Sequence, residues 1–415
     1  MKNNKDKSDK HSHSTHEPQQ DPQARKGNPP AEPAREAVMA PKGATPGYLI
    51  SNVPGALGFF PLESLVVMGF EQNGSLLELG PVARLDLDNV KRQCDEAFSA
   101  VESYSDVIFA FVVSYRPLKE LDWIADFLFE YSSATDRGFD ACWHTPEISL
   151  GQPYELWFGP EYGDKEPMPR WAEGKIPTIT DAASMTNWIG QGKLPEITRD
   201  DGIRQLNKRN PFITAANARA MTVQATKKSR AIVDAQIRLA TGKATGLKPN
   251  SVVCVKAEQI RETALRLITE CEGLDLDHVY AKQEALLELG SWLATATLRD
   301  VVLGVLIEHP ATAEVLMLAT MHTYSGTIRI NALVIYAAVC IVQDMAMVGG
   351  LALSVATTED PTHRLASLVN QAYRAGLHSR LVDNLTKGSE LAVQNWKTHP
   401  RASARTRPSR GETAA

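Results

Sequence analysis

Seven apolar side chains follow one another without a break in Val107-Ile108-Phe109-Ala110-Phe111-Val112-Val113, before Ser114. A strand with one wet face would alternate, so this run predicts a central strand buried on both faces, which needs cover above and below. The flanking residues supply it. Leu65–Phe70 reads as a buried strand, and Asn73-Gly74 as a hairpin turn, because both central positions of a type I′ turn need positive φ. The returning strand places Leu77, Leu79, Ala83, Leu85 and Leu87 in one register, with Arg84 and Asp86 together on the opposite face. Asp88 is positioned to cap the next helix, where Val90, Cys94, Ala97, Phe98 and Val101 recur at helical spacing. Leu121, Ile124, Ala125, Leu128 and Tyr131 mark a second helix, and Phe139–His144 and Tyr154–Phe158 two further strands. The order hairpin, helix, strand, helix, strand, strand predicts an α/β domain over 46–200 with a mixed sheet covered by helices. The stretch 159–180 reads as loop, because Pro160, Pro167, Pro169 and Pro177 interrupt any element.

From Asp181 onward the periodicity becomes helical. Pro195, Pro211, Pro249, Pro310 and Pro361 punctuate apolar stripes, which predicts an all-α domain over 201–395, a bundle or a short solenoid. Gly349–Ala356 with Asp360-Pro361 faintly resembles the closing helix of a tetratricopeptide unit, although no regular repeat period runs through the chain. Residues 1–45 and 396–415 are rich in Pro, Ser and charged groups and poor in large apolar ones, so both read as disordered tails. Ile330–Ala356 is apolar enough to raise a membrane span, but Asp344 at its centre would cost about 3 kcal/mol on insertion scales. Two buried helices meeting near Gln343 account for the same residues, and no membrane partner is expected. The N-terminus has no apolar run behind its lysines, and the five cysteines include no Cys-x-x-Cys pair. A cytoplasmic location is expected, with no zinc ribbon and no redox pair.

Several blocks carry a family likeness. Gly58-Phe59-Phe60-Pro61-Leu62-Glu63-Ser64-Leu65-Val66 and Ala83-Arg84-Leu85-Asp86-Leu87 near the start, with Asp344–Ala356, Asp360-Pro361 and Tyr373-Arg374-Ala375-Gly376-Leu377 near the end, resemble the domain-of-unknown-function family 4192, a bacterial family without an established activity. The resemblance spans roughly 47–382. It implies an α/β half followed by helices. Many members carry a cysteine pair in the middle region; residues 145–200 hold none here, so no metal or redox role is carried over.

The candidate site lies where the strands end. Arg84 and Asp86 share a face near the end of the second strand, Glu63 and Ser64 precede the first, and Arg116 follows the central strand. Ligands gather at the carboxyl edge of open sheets. Arg84, Arg116 and Ser64 are therefore the candidate ligand-binding groups, and Asp86 and Glu63 the candidate general bases for a small anionic substrate. The plainer account is an ion-pair network on a half-exposed sheet edge. Cys142 and His144 lie side by side on one strand face, with no orienting Asp or Asn evident, and read as packed core. His11, His13 and His16 form a histidine-rich patch in a tail without fixed geometry, and Gly242–Lys248 lacks the ending of a phosphate loop.

Charge is unevenly spread. Residues 202–250 hold ten Lys and Arg against one acid, while 45–201 hold 25 acids against 11 bases. Lys208, Arg209, Arg219, Lys227, Lys228, Arg230 and Arg238 form most of this basic belt, and Phe212 is its one aromatic residue. That composition predicts at most weak, salt-sensitive nucleic-acid binding, or else a solvated helix face or a dock onto the acidic half. With no nucleophile, metal or cofactor signature, the sequence reads best as a non-catalytic binding or scaffold protein that offers its helical half to a protein partner, with no cofactor. The alternative is an enzyme at the sheet edge.

Overall fold

Alternation along two neighbouring strands decides the architecture. In β1 (Ser64–Asn73), Val66, Met68 and Phe70 enter one apolar layer, and Leu65 and Val67 enter the other. In β3 (Val107–Val113), Phe109, Phe111 and Val113 join the first layer, and Ile108, Ala110 and Val112 the second. The computed structural model describes residues 45–73, 76–134, 138–159, 169–240 and 255–398. It forms a mixed six-stranded sheet in the order β2-β1-β3-β4-β5-β6, with β2 at Leu76–Asp86, β4 at Ala141–Thr145, β5 at Pro153–Phe158 and β6 at Glu173–Lys175. Among the described strands only β3 and β4 pair in parallel.

Both faces are covered, as the unbroken β3 run requires. On the first face lie two short helices, α1 (Pro46–Ser51) and α2 (Val53–Leu57), which contribute Leu49, Ile50, Val53 and Leu57. Thr45 caps α1 by accepting the Tyr48 amide at 3.3 Å, Pro46 opens it, and left-handed Gly58 (φ +78°) closes α2. These helices are too short to show a period, so the sequence reading passes over them. The second face is covered by α3 (Val90–Glu102) and α4 (Leu118–Ala134), the latter forming the crossover from β3 to β4.

The register of β2 differs from the sequence expectation. Met68 pairs with Val82 but Phe70 with Leu79, so a bulge at Gly80-Pro81 inserts one extra residue. Leu77, Leu79 and Val82 therefore pack on the first face, and Ala83 and Leu85 on the second. The hairpin forms, but Asn73 is the last residue of β1 and pairs with Leu76, so it is not a central turn residue as expected; Gly74 lies outside the described residues. Asp88 does not cap α3. It sits in a 3-10 turn, Leu87–Asn89, and the helix starts without a side-chain cap. The supposed loop of 159–180 contains α5 (Pro169–Ala172) and the edge strand β6, because Pro169 starts a helix and Pro177 falls beyond the strand.

No strand is described after Lys175. Instead come α6 (Thr186–Gly190), α7 (Arg199–Leu206), α8 (Ala215–Ala240), α9 (Ala257–Cys271), α10 (Leu276–Ala281), α11 (Gln283–Leu293), α12 (Ala296–Glu308), α13 (Pro310–Thr323), α14 (Thr327–Val342), α15 (Ala346–Glu359), α16 (Arg364–Arg374) and α17 (His378–Thr398). Helix α17 extends through Trp396, where a tail was expected to begin; the indole is buried and donates to Val255 O at 3.2 Å. The N-terminal tail with its three histidines, Gly242–Lys248 and 399–415 lie outside the described residues.

Helix α14 is buried almost throughout and breaks from α15 at Gln343–Met345, where Asp344 has φ +58°. Among the described residues, no single helix is long and apolar enough to cross a membrane. Arg329 of α14 gathers three helix ends. Its guanidinium donates to Glu359 Oε1 and Oε2 at 2.8–3.0 Å, to the carbonyls of Leu206 (3.1 Å) and Met321 (2.8 Å), and to Asn207 Oδ1 (2.6 Å). Carbonyls at helix C-termini lack intrahelical donors, so one arginine satisfies two of them and a carboxylate at once. The α/β and helical parts meet where Arg374 of α16 pairs with Glu96 of α3 and where the Tyr104 hydroxyl donates to Ala375 O at 3.3 Å. Phe59 forms a parallel bridge with Glu196, and Trp188 Nε1 donates to Gly55 O at 2.9 Å.

Candidate functional site

The register lines up one edge of the sheet. Ser64 stands opposite Asp86 on β2 and opposite Val113 on β3, and Val113 stands opposite Thr145 on β4. Since β1 is antiparallel to both neighbours, β2 and β3 end on the same side, where β1 begins. The candidate residues Glu63, Ser64, Arg84, Asp86 and Arg116 are thus brought to one edge, but as two groups of partners.

In the first group, Arg84 meets Asp86 at 2.5 Å and donates from Nε to Ser64 Oγ at 2.8 Å. Burial lowers the Arg84 pKa from its ordinary value, and the Asp86 charge opposes that shift. In the second, Glu63 accepts from Ser114 Oγ at 2.9 Å and from the Tyr115 amide at 3.2 Å, and meets Arg116 Nε at 2.6 Å. Arg116 also reaches Asp88 at 3.0 Å, and this hydrogen bond, helped by the Glu63 charge, raises its pKa. The Ser64 hydroxyl in turn donates to Leu62 O at 2.7 Å.

Glu63 sits at φ +44°, a left-handed conformation that costs a non-glycine residue roughly 1–2 kcal/mol. The Ser114 hydroxyl and the Tyr115 amide fix its carboxylate, and Leu87 N donates to its carbonyl at 3.0 Å. Ser114, Tyr115 and Asp88 are the members that the sequence reading missed as partners. Ser114 left a trace, as a polar residue closing an apolar strand; the other two owe their places to strand register. Chemically, the edge pairs its own charges: each guanidinium faces a carboxylate, and Glu63 already accepts from three donors. Such an edge holds strands together. To act as a clamp or a base, it would have to exchange these bonds for a ligand.

Cys142 and His144 do not pair. The Cys142 thiol is buried, which pushes its pKa up. The His144 ring stacks on Trp157 with centroids 5.3 Å apart, placing Nε2 3.1 Å from Ser114 O and Nδ1 3.3 Å from Glu155. Among the described residues no three His, Cys, Asp or Glu side chains are placed to hold a metal ion.

The basic belt is built mainly on α8. This 26-residue helix packs against α11, α12 and α17 of the helical part, rather than on the acidic half as one expectation had it. Ala225, Ser229, Ile232 and Ala235 are buried beneath it. Lys228 pairs with Glu288 of α11. The outer face runs through Arg219, Ala220, Val223, Lys227, Arg230 and Ala231, all exposed. Val223 is 69% exposed, and Arg219, Lys227 and Arg230 make no ion pair among the described residues. A shallow depression of about 550 Å³ lies along this face between Thr222 and Asp234.

Comparison with known proteins adds one finding. The model of the family described as Domain of unknown function (DUF4192) matches residues 46–380. No curated protein and no solved structure gives a significant match. With the match running from α1 into α17, through the sheet, its charged edge and the helical part, the chain belongs to the DUF4192 family.

Proposed function

We propose that this is a non-catalytic binding or scaffold protein whose helical half receives an acidic protein segment on the outer face of α8. One observation carries the reading. Val223 stands 69% exposed between cations that have no partner among the described residues, over a shallow depression. The arginines of the sheet edge, by contrast, already face carboxylates of the same chain. A solvated helix face needs no apolar centre, whereas protein interfaces join an apolar centre to a polar rim. Protein is favoured over nucleic acid because the face carries no aromatic side chain on which a base could stack.

Photo-crosslinking in cells tests this. A photoreactive side chain at Val223 of the full chain is expected to give a protein adduct, lost in Lys227→Glu/Arg230→Glu, while the same group at exposed Leu391 of α17 gives none. No adduct at 223, equal yields at both positions, or a nucleic-acid adduct would each overturn the reading.

A further inference from the structure

Helix α4 presents the electrostatic counterpart of α8. Its inner face buries Leu121, Ile124 and Leu128. Its outer face exposes Asp122, Asp126 and Glu130, spaced four residues apart and so aligned along one side of the helix. None of the three has an ion-pair partner among the described residues. Two large aromatic groups flank the acids: Phe129 is 55% exposed, edge-on to Phe158 at 5.8 Å, and Trp123 is 36% exposed with Lys91 Nζ 5.0 Å from its ring centre.

The two faces match in length as well as in sign. Asp122 to Glu130 spans about 12 Å at the helical rise, and so does Arg219 to Lys227 on α8, with Arg230 one turn beyond. Val223 lies midway between the cations, and Ala220 and Ala231 keep the α8 surface low. Small residues of this kind let a second helix approach to about 8–10 Å. The exposed rings of α4 would then lie on the apolar centre of α8.

We infer that the partner received by α8 is a second copy of this chain, docked through the acidic, aromatic face of its α4. The inference rests on the reading of α8 as a docking surface and names the occupant. A second copy covers both unpartnered faces at once, while an unrelated acidic partner leaves Trp123 and Phe129 exposed. The contact joins different surfaces of the two copies, so it closes as a pair of reciprocal contacts or runs head to tail.

Charge exchange provides the test, with mass read by analytical ultracentrifugation of the full chain. The wild type is expected to sediment as a dimer or larger at low ionic strength and to shift toward monomer near about 0.5 M salt, where the screening length falls to a few ångströms. Lys227→Glu/Arg230→Glu and Asp126→Lys/Glu130→Lys should each be monomeric with unchanged helical circular dichroism, since all four positions are exposed. Mixing the two variants restores opposite charge at each contact between unlike copies, so the mixture should associate again. A monomeric wild type, a reversed variant that keeps its mass, or a mixture that stays monomeric would overturn the inference. A monomeric wild type that still gives a Val223 adduct with another protein sinks this inference alone; absence of any Val223 adduct sinks the functional reading as well.

Discussion

Removing Arg329 tests how the helical part is held together. Its guanidinium, 5% exposed, bonds two buried carbonyls, Leu206 O and Met321 O, together with Asn207 Oδ1 and the Glu359 carboxylate. Arg329→Ala leaves all four without their donor. A buried acceptor stripped of its donor costs about 1 kcal/mol or more. Glu359 is 35% exposed and recovers part of its hydration, which limits its share. The expected loss is therefore about 3–4 kcal/mol, in the range for breaking a buried charged pair from one side. Arg329→Lys keeps a cation near Glu359 but cannot fork to the two helix ends, so it should lose about 2 kcal/mol. Urea denaturation followed by tryptophan fluorescence measures both, as midpoint shifts at constant slope. A loss below about 1 kcal/mol for the alanine variant, or a lysine variant indistinguishable from the wild type, would refute the assignment of this arginine as the tie between α7, α13 and α15.

Three further outcomes are expected. Burial lowers the His322 pKa from 6.5 to about 4, and its Nε2 bonds Gln205 O at 2.8 Å. Below pH 6.5 the unfolded chain takes up this proton and the folded chain does not, so stability is fully present above pH 6.5 and falls toward pH 4, by about 3 kcal/mol; His322→Gln, which can still bond Gln205 O, should flatten that part of a stability–pH curve. A Cβ at Gly349 would lie 2.8 Å from Ala337 O where α14 and α15 cross, so Gly349→Ala should lower the urea midpoint by the equivalent of about 1–3 kcal/mol. At the sheet edge, Glu63→Gln should cost about 1 kcal/mol and the exposed Asp86→Asn less, both by thermal melting, because ion pairs this open to water contribute little.

How much of this was legible follows from the range of each interaction. The β1 and β3 layers were readable because alternation and unbroken apolar runs are local. The shift in β2 was not, since Leu77, Leu79, Ala83 and Leu85 keep the same parity in the sequence and only the bulge separates them. Its signal was there: a glycine followed by a proline inside a strand is where bulges occur. Helix α5 and strand β6 were hidden by reading every proline as a breaker, when Pro169 opens a helix. Asp88 looked like a cap because its helix is close in sequence, yet Arg116 is its partner. Arg84 and Asp86 were found together because they are two apart on a strand. That Glu63 was already satisfied depends on Ser114 and Tyr115, which only the pairing of β1 with β3 brings near.

The segment Gly58–Ser64 explains why the charged edge stands where it does. It contains two left-handed residues, Gly58 and Glu63, and only the glycine adopts that conformation without steric cost. Between them Phe59 and Phe60 run beside Glu196, with Glu196 N donating to Gly58 O at 2.9 Å and Phe60 N to Glu196 O at 3.1 Å. The segment is therefore fixed to the stretch around Glu196, just before α7, before it turns into β1. A chain pinned at both ends must absorb the turn at Glu63, and the bonds from Ser114, Tyr115 and Arg116 to its carboxylate offset the roughly 1–2 kcal/mol of backbone strain. On this argument the ion pairs are the consequence of a tight entry into the sheet. Their first task is to hold that entry, which is why each arginine there already faces a carboxylate of the same chain.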